Sequence, residues 1–322
     1  MCTAMTLQSE QGETFFGRTM DFSYDIQPKI YIVPKGYIWD NHLDMGLIRN
    51  KYSFIGIGQK LDGILGFFDG VNEEGFAAAT LYFAGYSQYN TQSTFSTSKQ
   101  IASTDFLHYI LGRCESIEAL KMVLKDISII GMPDPVTQSV APLHWMATDK
   151  SGKSIVIEQT KNGLIFFDNT IGVMANSPDF QWHMTNLRNY MEISPEQTEE
   201  VFWENIRLKP FGQAGGTMLL PGGYTSPERF VRTTFLKTHV PTPKNAAEAI
   251  VSCFHIMESV SIPKGAVISS RNEYDYTKYT AFINTNTCEY FFKTYDNMQI
   301  VKASLFYDDK LLEHPFSLGY SG

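Results

Sequence analysis

The chain has 322 residues, of which 43% are hydrophobic and 19% are charged, a balance typical of a globular protein. Its formal net charge of −8 excludes a broadly basic surface, so nucleic acid is not an expected partner. No stretch reaches the roughly 18 apolar residues of a membrane span, and the first residues lack the features of a secretory signal. We therefore expect a cytoplasmic protein with no membrane partner.

Local patterns predict an α+β protein that begins with a β-hairpin. The arms of this hairpin cover residues 3–8 and 14–20, with a turn at 9–12. Further strands are predicted at 29–33, 53–58, 76–83, 154–158, 164–168, 279–284, 289–294 and 298–306. Helices are predicted at 103–111, 116–124 and 245–257. Nothing resembles a linker, so we expect a single domain over residues 1–322, with packed sheets and outer helices.

Several common kinds of functional site are not indicated. The seven histidines fall in no metal-ligand spacing such as HExxH, so neither a metal nor a cofactor is expected. The glycine-rich run 212–216 lacks the Gly-Lys-Ser/Thr ending of a phosphate-binding loop and is predicted to be a flexible loop. GxSxG is absent. The four cysteines are far apart with no CxxC, which favours free thiols over disulfides or a thiol-redox motif.

Cys2 is the residue with the most distinctive chemistry. Removal of Met1 would place a thiol and a free α-amine on one residue. The amine can then take the thiol proton and later return it to a leaving amine, as in enzymes with N-terminal nucleophiles. The hairpin pairs residue 2 with about residue 20, which brings Arg18 and Asp21 beside it. A guanidinium next to a thiol favours the thiolate, and a carboxylate there would orient the amine.

These motifs resemble the choloylglycine hydrolases, the family of bile salt hydrolases and penicillin V acylases. The resemblance rests on Met1-Cys2-Thr3 with the segment GRTMD at 17–21, and continues in order through the chain. Later matches are DGVNEEG at 69–75, LHW at 143–145, GVMANSP at 172–178, LPGG at 220–223 with SPERFVR at 226–232, and YDN at 295–297. Three departures are Ala175 for the usual Thr, Gly223 for Asp and Glu228 for Ser.

The resemblance implies a four-layer αββα sandwich of the N-terminal-nucleophile type, a homotetramer and no metal. It implies that Cys2 is the nucleophile, supported by Arg18 and Asp21. Asn176, after a strand ending at Ala175, would donate to the oxyanion together with the backbone N–H of Tyr82, and Arg229 would complete the cluster. Two preorganised donors are what a tetrahedral oxyanion requires. The implied substrate is a small amide. Residues 196–223 would be a mobile or assembly-forming excursion.

The choice of substrate is left among several possibilities. In the family, Tyr at position 82 goes with penicillin V acylases and Asn with bile salt hydrolases, so penicillin V is favoured here. An aromatic pocket of Met20, Phe22, Tyr24, Tyr82 and Phe83 would suit a phenoxyacetyl group, although Phe22 and Phe83 are equally compatible with a place in the core. Bile salt hydrolysis, cleavage of N-acyl homoserine lactones and non-catalytic binding of acylated amines are the alternatives.

Overall fold

The computed structural model describes residues 1–43, 46–61, 64–93, 98–134, 137–306 and 316–317. The strands of this part are, in chain order, β1 (Cys2–Gln8), β2 (Thr14–Phe22), β3 (Lys29–Val33), β4 (Ile38–Asp40), β5 (Leu47–Arg49), β6 (Phe54–Leu61), β7 (Ile64–Asn72), β8 (Ala77–Tyr82), β9 (Lys99–Ala102), β10 (Ile127–Ile130), β11 (Leu143–Thr148), β12 (Ser154–Thr160), β13 (Gly163–Asp168), β14 (Val173–Met174), β15 (Val201–Trp203), β16 (Ile206–Leu208), β17 (Tyr276–Asn284), β18 (Glu289–Thr294), β19 (Val301–Ser304) and β20 (Phe316–Ser317). The α-helices are α1 (Phe106–Leu111), α2 (Ile117–Lys125), α3 (Phe180–Asn186), α4 (Ser226–His239) and α5 (Ala246–Glu258).

Two antiparallel sheets form the centre of the molecule. One has six strands in the order β14-β1-β2-β17-β18-β19, and the other has eight in the order β13-β12-β11-β8-β7-β6-β3-β20. The sheets face each other where β1 and β2 contact β8. Apolar side chains between them, such as Ile57, Ala79 and Phe16, are buried.

Helices cover the outer faces of both sheets. α4 and α5 pack on β1, β2, β14 and β17 of the six-stranded sheet, and α1 packs on β7 and β8 of the other. On β12 the side chains of Ile155 and Ile157 face outward into the cluster with Trp145 and the helices α1 and α2, while Val156 faces inward. This alternation is what a sheet buried on both faces requires. The four-layer αββα arrangement expected from the resemblance is confirmed.

The N-terminal hairpin has the predicted register. Cys2 pairs with Met20, and the ladder runs without interruption to Gln8 and Thr14. β17 packs against the other edge of β2 so closely that a Cβ on Gly17 would lie 2.1 Å from the carbonyl oxygen of Ala281. Only glycine fits there. Because β2 pairs with β1 on one edge and with β17 on the other, it lies in the middle of the sheet.

Other sequence predictions need correction. The predicted strand at 298–306 is shortened to β19, since the residues before it form the turn after β18. Within the glycine-rich run, Gly215–Thr217 form a 3-10 turn rather than only an irregular loop. The strand before Asn176 ends at Met174, one residue earlier than expected. The elements without a predicted counterpart are helices α3 and α4 and strands β4, β5, β7, β9, β10, β11, β15, β16 and β20, and α4 carries Arg229.

Candidate active site

Cys2 is at the first position of β1, and its sulfur is held by Arg18 from the adjacent strand. Arg18 Nη2 donates to Cys2 Sγ at 2.6 Å, and Cys2 is only 3% exposed. The two side chains lie on the same face of the hairpin because Cys2 pairs with Met20, two residues beyond Arg18. The predicted approach of Arg18 to the thiol is therefore present in the structure.

All five N–H groups of Arg18 have acceptors. Besides Cys2 Sγ, Nη2 donates to Met20 Sδ at 2.9 Å, and Nε donates to the Thr19 carbonyl at 3.2 Å. Nη1 reaches the opposite sheet, where the carbonyls of Phe68 and Thr80 accept at 3.1 and 2.7 Å. Burial alone would lower the pKa of this guanidinium. The surrounding anionic groups raise the pKa by more than burial lowers it, so Arg18 remains a cation. It is thereby fixed as a positive charge beside the sulfur.

Asp21 is fully buried at the end of β2, on the other side of the N-terminus. Its carboxylate accepts from the hydroxyls of Thr277 at 2.6 Å and Thr19 at 3.1 Å, and lies 3.8 Å from Arg229 Nη1. Burial raises the pKa of Asp21, and the nearby Arg229 opposes this effect. The carboxylate thus belongs to a closed network that anchors the strand end.

Asn176 connects the N-terminus to Tyr82. Its Oδ1 accepts from the Cys2 backbone N–H and from Arg229 Nη2, both at 2.7 Å. Its Nδ2 donates to the Tyr82 carbonyl at 2.7 Å, which leaves a second amide hydrogen for another acceptor. The two residues expected to form the oxyanion hole are therefore neighbours.

The backbone N–H of Tyr82 points toward the same side as its carbonyl. The Phe83 N–H donates to the Pro142 carbonyl, so these two residues form a hydrogen-bonded pair of the antiparallel ladder. The next pair, Tyr82 opposite Leu143, is therefore a non-hydrogen-bonded pair. Both main-chain groups of Tyr82 therefore point away from β11 and toward Asn176. An oxygen placed here could accept from the Asn176 amide and the Tyr82 N–H together.

Arg229, on α4, fixes the main chain of Cys2. Its Nη1 donates to the Cys2 carbonyl at 2.6 Å and contacts the Thr3 hydroxyl, while Nε donates to the Tyr224 carbonyl at 3.0 Å. The side chain is completely buried, and burial lowers its pKa while Asp21 counteracts this. Arg229 is thus a positioning group for Cys2 and Asn176.

Two cavities meet at this cluster. One encloses about 140 Å³ and is lined by Cys2 and a mainly apolar wall that includes Met20, Phe22, Ile26, Phe68, Leu81, Tyr82 and Leu143. The other, of about 460 Å³, is lined by more polar groups that include Tyr24, Asn176, Ser177, Arg271 and Asp275. Phe22 and Tyr82 line both cavities. A ligand could therefore pass from an apolar compartment to a polar one beside Cys2.

Four of the five residues of the predicted aromatic pocket line the two cavities, and Phe83 does not. Met20, Phe22 and Tyr82 line the apolar cavity, and Tyr24 lines the polar one. Phe83 is completely buried and stacks on His144 with ring centroids 4.3 Å apart. Successive residues of an extended segment face opposite sides, so Phe83 points away from the cavities that Tyr82 lines.

Met1 lines the polar cavity as long as it is attached. It continues β1: its ammonium donates to the Asp21 carbonyl at 2.6 Å, and its carbonyl accepts from the Asp21 N–H at 3.0 Å. The ammonium is also 3.7 Å from Asp275. In this state the Cys2 nitrogen is a peptide amide bonded to Asn176, rather than the free amine expected next to the Asp21 carboxylate.

Sequence reasoning missed several residues that complete the site. Thr3 and Thr277 hold Arg229 and Asp21, and His183 Nε2 is 2.7 Å from the Asn176 carbonyl, to which it donates. Burial lowers the pKa of His183 to about 4, so the ring is neutral. These partners are distant in sequence, and no local pattern identifies them. Within the described residues, no group of three metal-binding side chains occurs, and no described helix is long and apolar enough to span a membrane.

Comparisons with known proteins agree along nearly the whole chain. The model of the linear amide C–N hydrolases, choloylglycine hydrolase family, matches residues 2–314. A bile salt hydrolase/transferase from Clostridium perfringens is 34% identical over 93% of this chain and 91% of its own length. A penicillin V acylase from Pectobacterium atrosepticum is 25% identical over 86% of this chain and 73% of its own. The crystal structure of the C2A mutant of a conjugated bile acid hydrolase from C. perfringens has a TM-score of 0.92 at 31% identity, covering 100% of this chain and 97% of that one.

Proposed function

Since the chain belongs to the choloylglycine hydrolase family of linear amide C–N hydrolases, we propose that it cleaves the amide bond of conjugated bile salts with Cys2 as nucleophile. The observation that carries this proposal is the position of Cys2: its Sγ accepts a hydrogen bond from Arg18 Nη2 at 2.6 Å, and the residue lines an apolar cavity. A bile salt hydrolase from C. perfringens is a more similar relative than the penicillin V acylase, so the preference for penicillin V drawn from Tyr82 is revised.

The reaction begins with attack of the Cys2 thiolate on the amide carbonyl. The oxyanion that forms accepts hydrogen bonds from Asn176 Nδ2 and the Tyr82 N–H, while Arg18 balances the charge at the sulfur. The α-ammonium of Cys2 then gives a proton to the leaving nitrogen, the C–N bond breaks, and a thioester remains. Water, deprotonated by the same amine, attacks the thioester and releases the acid together with the thiolate.

This mechanism requires removal of Met1. A peptide nitrogen cannot accept a proton, and with Met1 attached the Cys2 nitrogen donates to Asn176 Oδ1. Removal converts this nitrogen to an amine and also empties the part of the polar cavity beside Asp21 and Asp275. The product amine of the substrate can then occupy the space that Met1 filled.

The two cavities match the two halves of a conjugated bile salt. The hydrocarbon skeleton of a bile steroid has a large apolar face, which is complementary to a wall of aliphatic and aromatic side chains. The amino acid released from it carries an anionic group, and Arg271 supplies a cation at the polar cavity, where it also stacks on Tyr24 with its guanidinium carbon 3.6 Å from the ring centroid. A neutral homoserine lactone would leave this cation without a partner.

Penicillin V is the second candidate substrate. The rings of Tyr82 and Phe22 have centroids 6.0 Å apart and line the apolar cavity, a geometry that could hold a phenoxy ring edge-to-face. The leaving amine of penicillin V also carries a carboxylate, so Arg271 does not distinguish it from a bile salt.

The test is a comparison of kcat/KM for glycocholate and penicillin V, on protein whose mass shows that Met1 has been removed. We expect glycocholate to be preferred, and Cys2→Ala to lose at least about a thousandfold in kcat with an unchanged thermal transition. Preference for penicillin V would support the second candidate. If the processed protein cleaves neither substrate, the remaining hypotheses to test are cleavage of acyl homoserine lactones and then non-catalytic binding.

We also propose that four copies of the chain assemble. The support is an exposed hairpin, defined as β15 and β16 with the segment to residue 219, which projects large apolar side chains. Phe202, Trp203, Ile206, Met218 and Leu219 are all more than 60% exposed. An apolar patch of this kind on a globular protein marks an interaction surface.

A further inference from the structure

Asp69 belongs to the DGVNEEG segment, to which the reaction described above gives no role. It lies on β7, is 1% exposed, and accepts a hydrogen bond from Tyr279 on β17 at 2.5 Å between Tyr279 Oη and Asp69 Oδ2. The same oxygen is 3.9 Å from Arg18 Nη1 on β2. A buried carboxylate of the eight-stranded sheet therefore touches two residues of the six-stranded sheet.

Arg18 stands between Asp69 and the nucleophile. One of its terminal nitrogens, Nη2, donates to Cys2 Sγ, and the other, Nη1, faces Asp69. All five N–H groups of Arg18 already have other acceptors, so Asp69 acts on this guanidinium by charge and not by a hydrogen bond. Two anionic groups, the thiolate and the carboxylate, therefore share one buried cation.

We propose that Asp69, held by Tyr279, is a positioning residue that sets how much of the Arg18 charge is available to the Cys2 sulfur. The proposal rests on the proposed function, because it assigns a role within the same reaction. When Asp69 is protonated, the thiolate is the nearest anion that faces Arg18. When Asp69 is ionised, the two anions compete for Arg18 and repel each other, and the thiolate is less favoured.

The titration of Asp69 falls in an accessible range. Burial raises its pKa to about 6, opposed by Arg18, by the hydrogen bond from Tyr279 and by the Ile57 main chain. Among the described residues, Arg18 on β2 and Tyr279 on β17 are the charged or titratable groups that face it, with Cys2 and Asp21 acting on the far side of Arg18. The charge state of Asp69 therefore changes near pH 6, while Arg18 stays charged.

The experiment measures alkylation of Cys2 by iodoacetamide between pH 4.5 and about 9, with the product located on the N-terminal peptide by mass spectrometry. For the processed wild type we expect the rise of the rate with pH to be interrupted by a step near pH 6, where ionised Asp69 begins to disfavour the thiolate. In Asp69→Asn the step should vanish, and the rate above pH 7 should be about tenfold higher than in the wild type. Asparagine still accepts from Tyr279, so this variant removes the charge alone.

A second variant tests the same idea without changing Asp69. Tyr279→Phe removes a hydrogen bond that stabilises the ionised carboxylate, so the step should move to higher pH. The matched control is Tyr290→Phe on β18, a buried tyrosine whose hydroxyl has no hydrogen-bond partner among the described residues. It should leave the step in place.

The outcomes are distinct from those of the substrate test. A step near pH 6 that persists in Asp69→Asn, or a wild-type profile without one, would overturn the role of Asp69. Failure of the processed enzyme to cleave either glycocholate or penicillin V would instead refute the proposed substrates, since alkylation requires no substrate. In an active enzyme, the pH profile of kcat/KM should lose the same step in Asp69→Asn.

Discussion

In the proposed reaction, the two amide atoms of Asn176 have separate functions. Its oxygen accepts hydrogen bonds from the Cys2 N–H and from Arg229. Its nitrogen donates to the Tyr82 carbonyl and has a second hydrogen for the oxyanion. A side chain that only positioned Cys2 would need the oxygen, whereas transition-state stabilisation needs the nitrogen. Substitutions that keep one atom and change the other can therefore separate the two functions.

We predict that Asn176→Asp and Asn176→Ala both lower kcat by about 10²–10³, because each removes the oxyanion donor. KM should change little in comparison, since the donor acts on charge that develops after binding. The measurement is steady-state kinetics with glycocholate. If Asn176→Asp, which retains the acceptor oxygen, keeps near wild-type kcat, the oxygen and not the N–H is the important group.

Arg271 is predicted to recognise the charged end of the substrate. In Arg271→Gln we expect KM for glycocholate to rise about tenfold, because an exposed ion pair across the polar cavity is lost, while kcat is affected less. Arg113→Gln is a matched control, since Arg113 is also an exposed arginine over a tyrosine ring but lines neither cavity described above. Equal effects in the two variants would contradict the assignment.

At the level of elements, helix α4 explains two of the departures from the family pattern together. Glu228 accepts from the Gly223 N–H at 3.2 Å and from the Thr225 hydroxyl at 2.5 Å. A Cβ at position 223 would lie 2.3 Å from the Glu228 carboxylate. The carboxylate that the family usually has at position 223 is thus replaced by one from position 228, and Gly223 leaves room for it.

Glu228→Gln is predicted to destabilise the protein by at most about 1 kcal/mol at pH 7 and by less at about pH 3.5. The hydrogen bond from Thr225 is the main cause that lowers the pKa of Glu228 from 4.5. The ionised Glu228 carboxylate therefore stabilises the folded protein above the unfolded-state pKa, and this stabilisation is lost as pH falls through the folded-state pKa. Urea unfolding at both pH values measures the difference, with Glu118→Gln in the first turn of α2 as the control. A difference that is independent of pH would exclude the ionised carboxylate as the cause.

Local patterns predicted the elements whose signals lie within a few residues. The hairpin of β1 and β2 was found because its alternation and its turn are continuous in sequence, and its register placed Arg18 beside Cys2. Helix α4 was missed, although Thr225 and Glu228 have the capping-box spacing that marks a helix start. The partners Thr277 and His183 could not be predicted, because only the pairing of β17 with β2 and the packing of α3 bring them to the site. The resemblance to a family supplied Asn176, Tyr82 and Arg229, which no spacing indicates.

For the whole molecule, the exposed hairpin makes a prediction about assembly. If the proposed tetramer forms, the double substitution Phe202→Asp and Trp203→Asp should reduce it to smaller species, because it places charges where apolar side chains would be buried between copies. Light scattering after size-exclusion chromatography gives the mass. Met122→Asp, at an exposed residue of α2, is the control and should remain a tetramer. A wild-type protein of monomer mass would refute the proposed assembly.

The positions of the two cavities have a consequence for how this molecule can diversify. Cys2, Arg18 and Arg229 are carried by strands and a helix that neighbouring elements fix on several sides. Part of the lining of the apolar cavity instead comes from chain between the strands and helices, namely Ile26, Ser103, Thr104, Asp134, Thr137 and Ala141. Insertions and substitutions in these connections can alter which acyl group is accepted while the reacting atoms keep their places. Related chains can therefore acquire new substrates in small steps, each of which passes through an active enzyme.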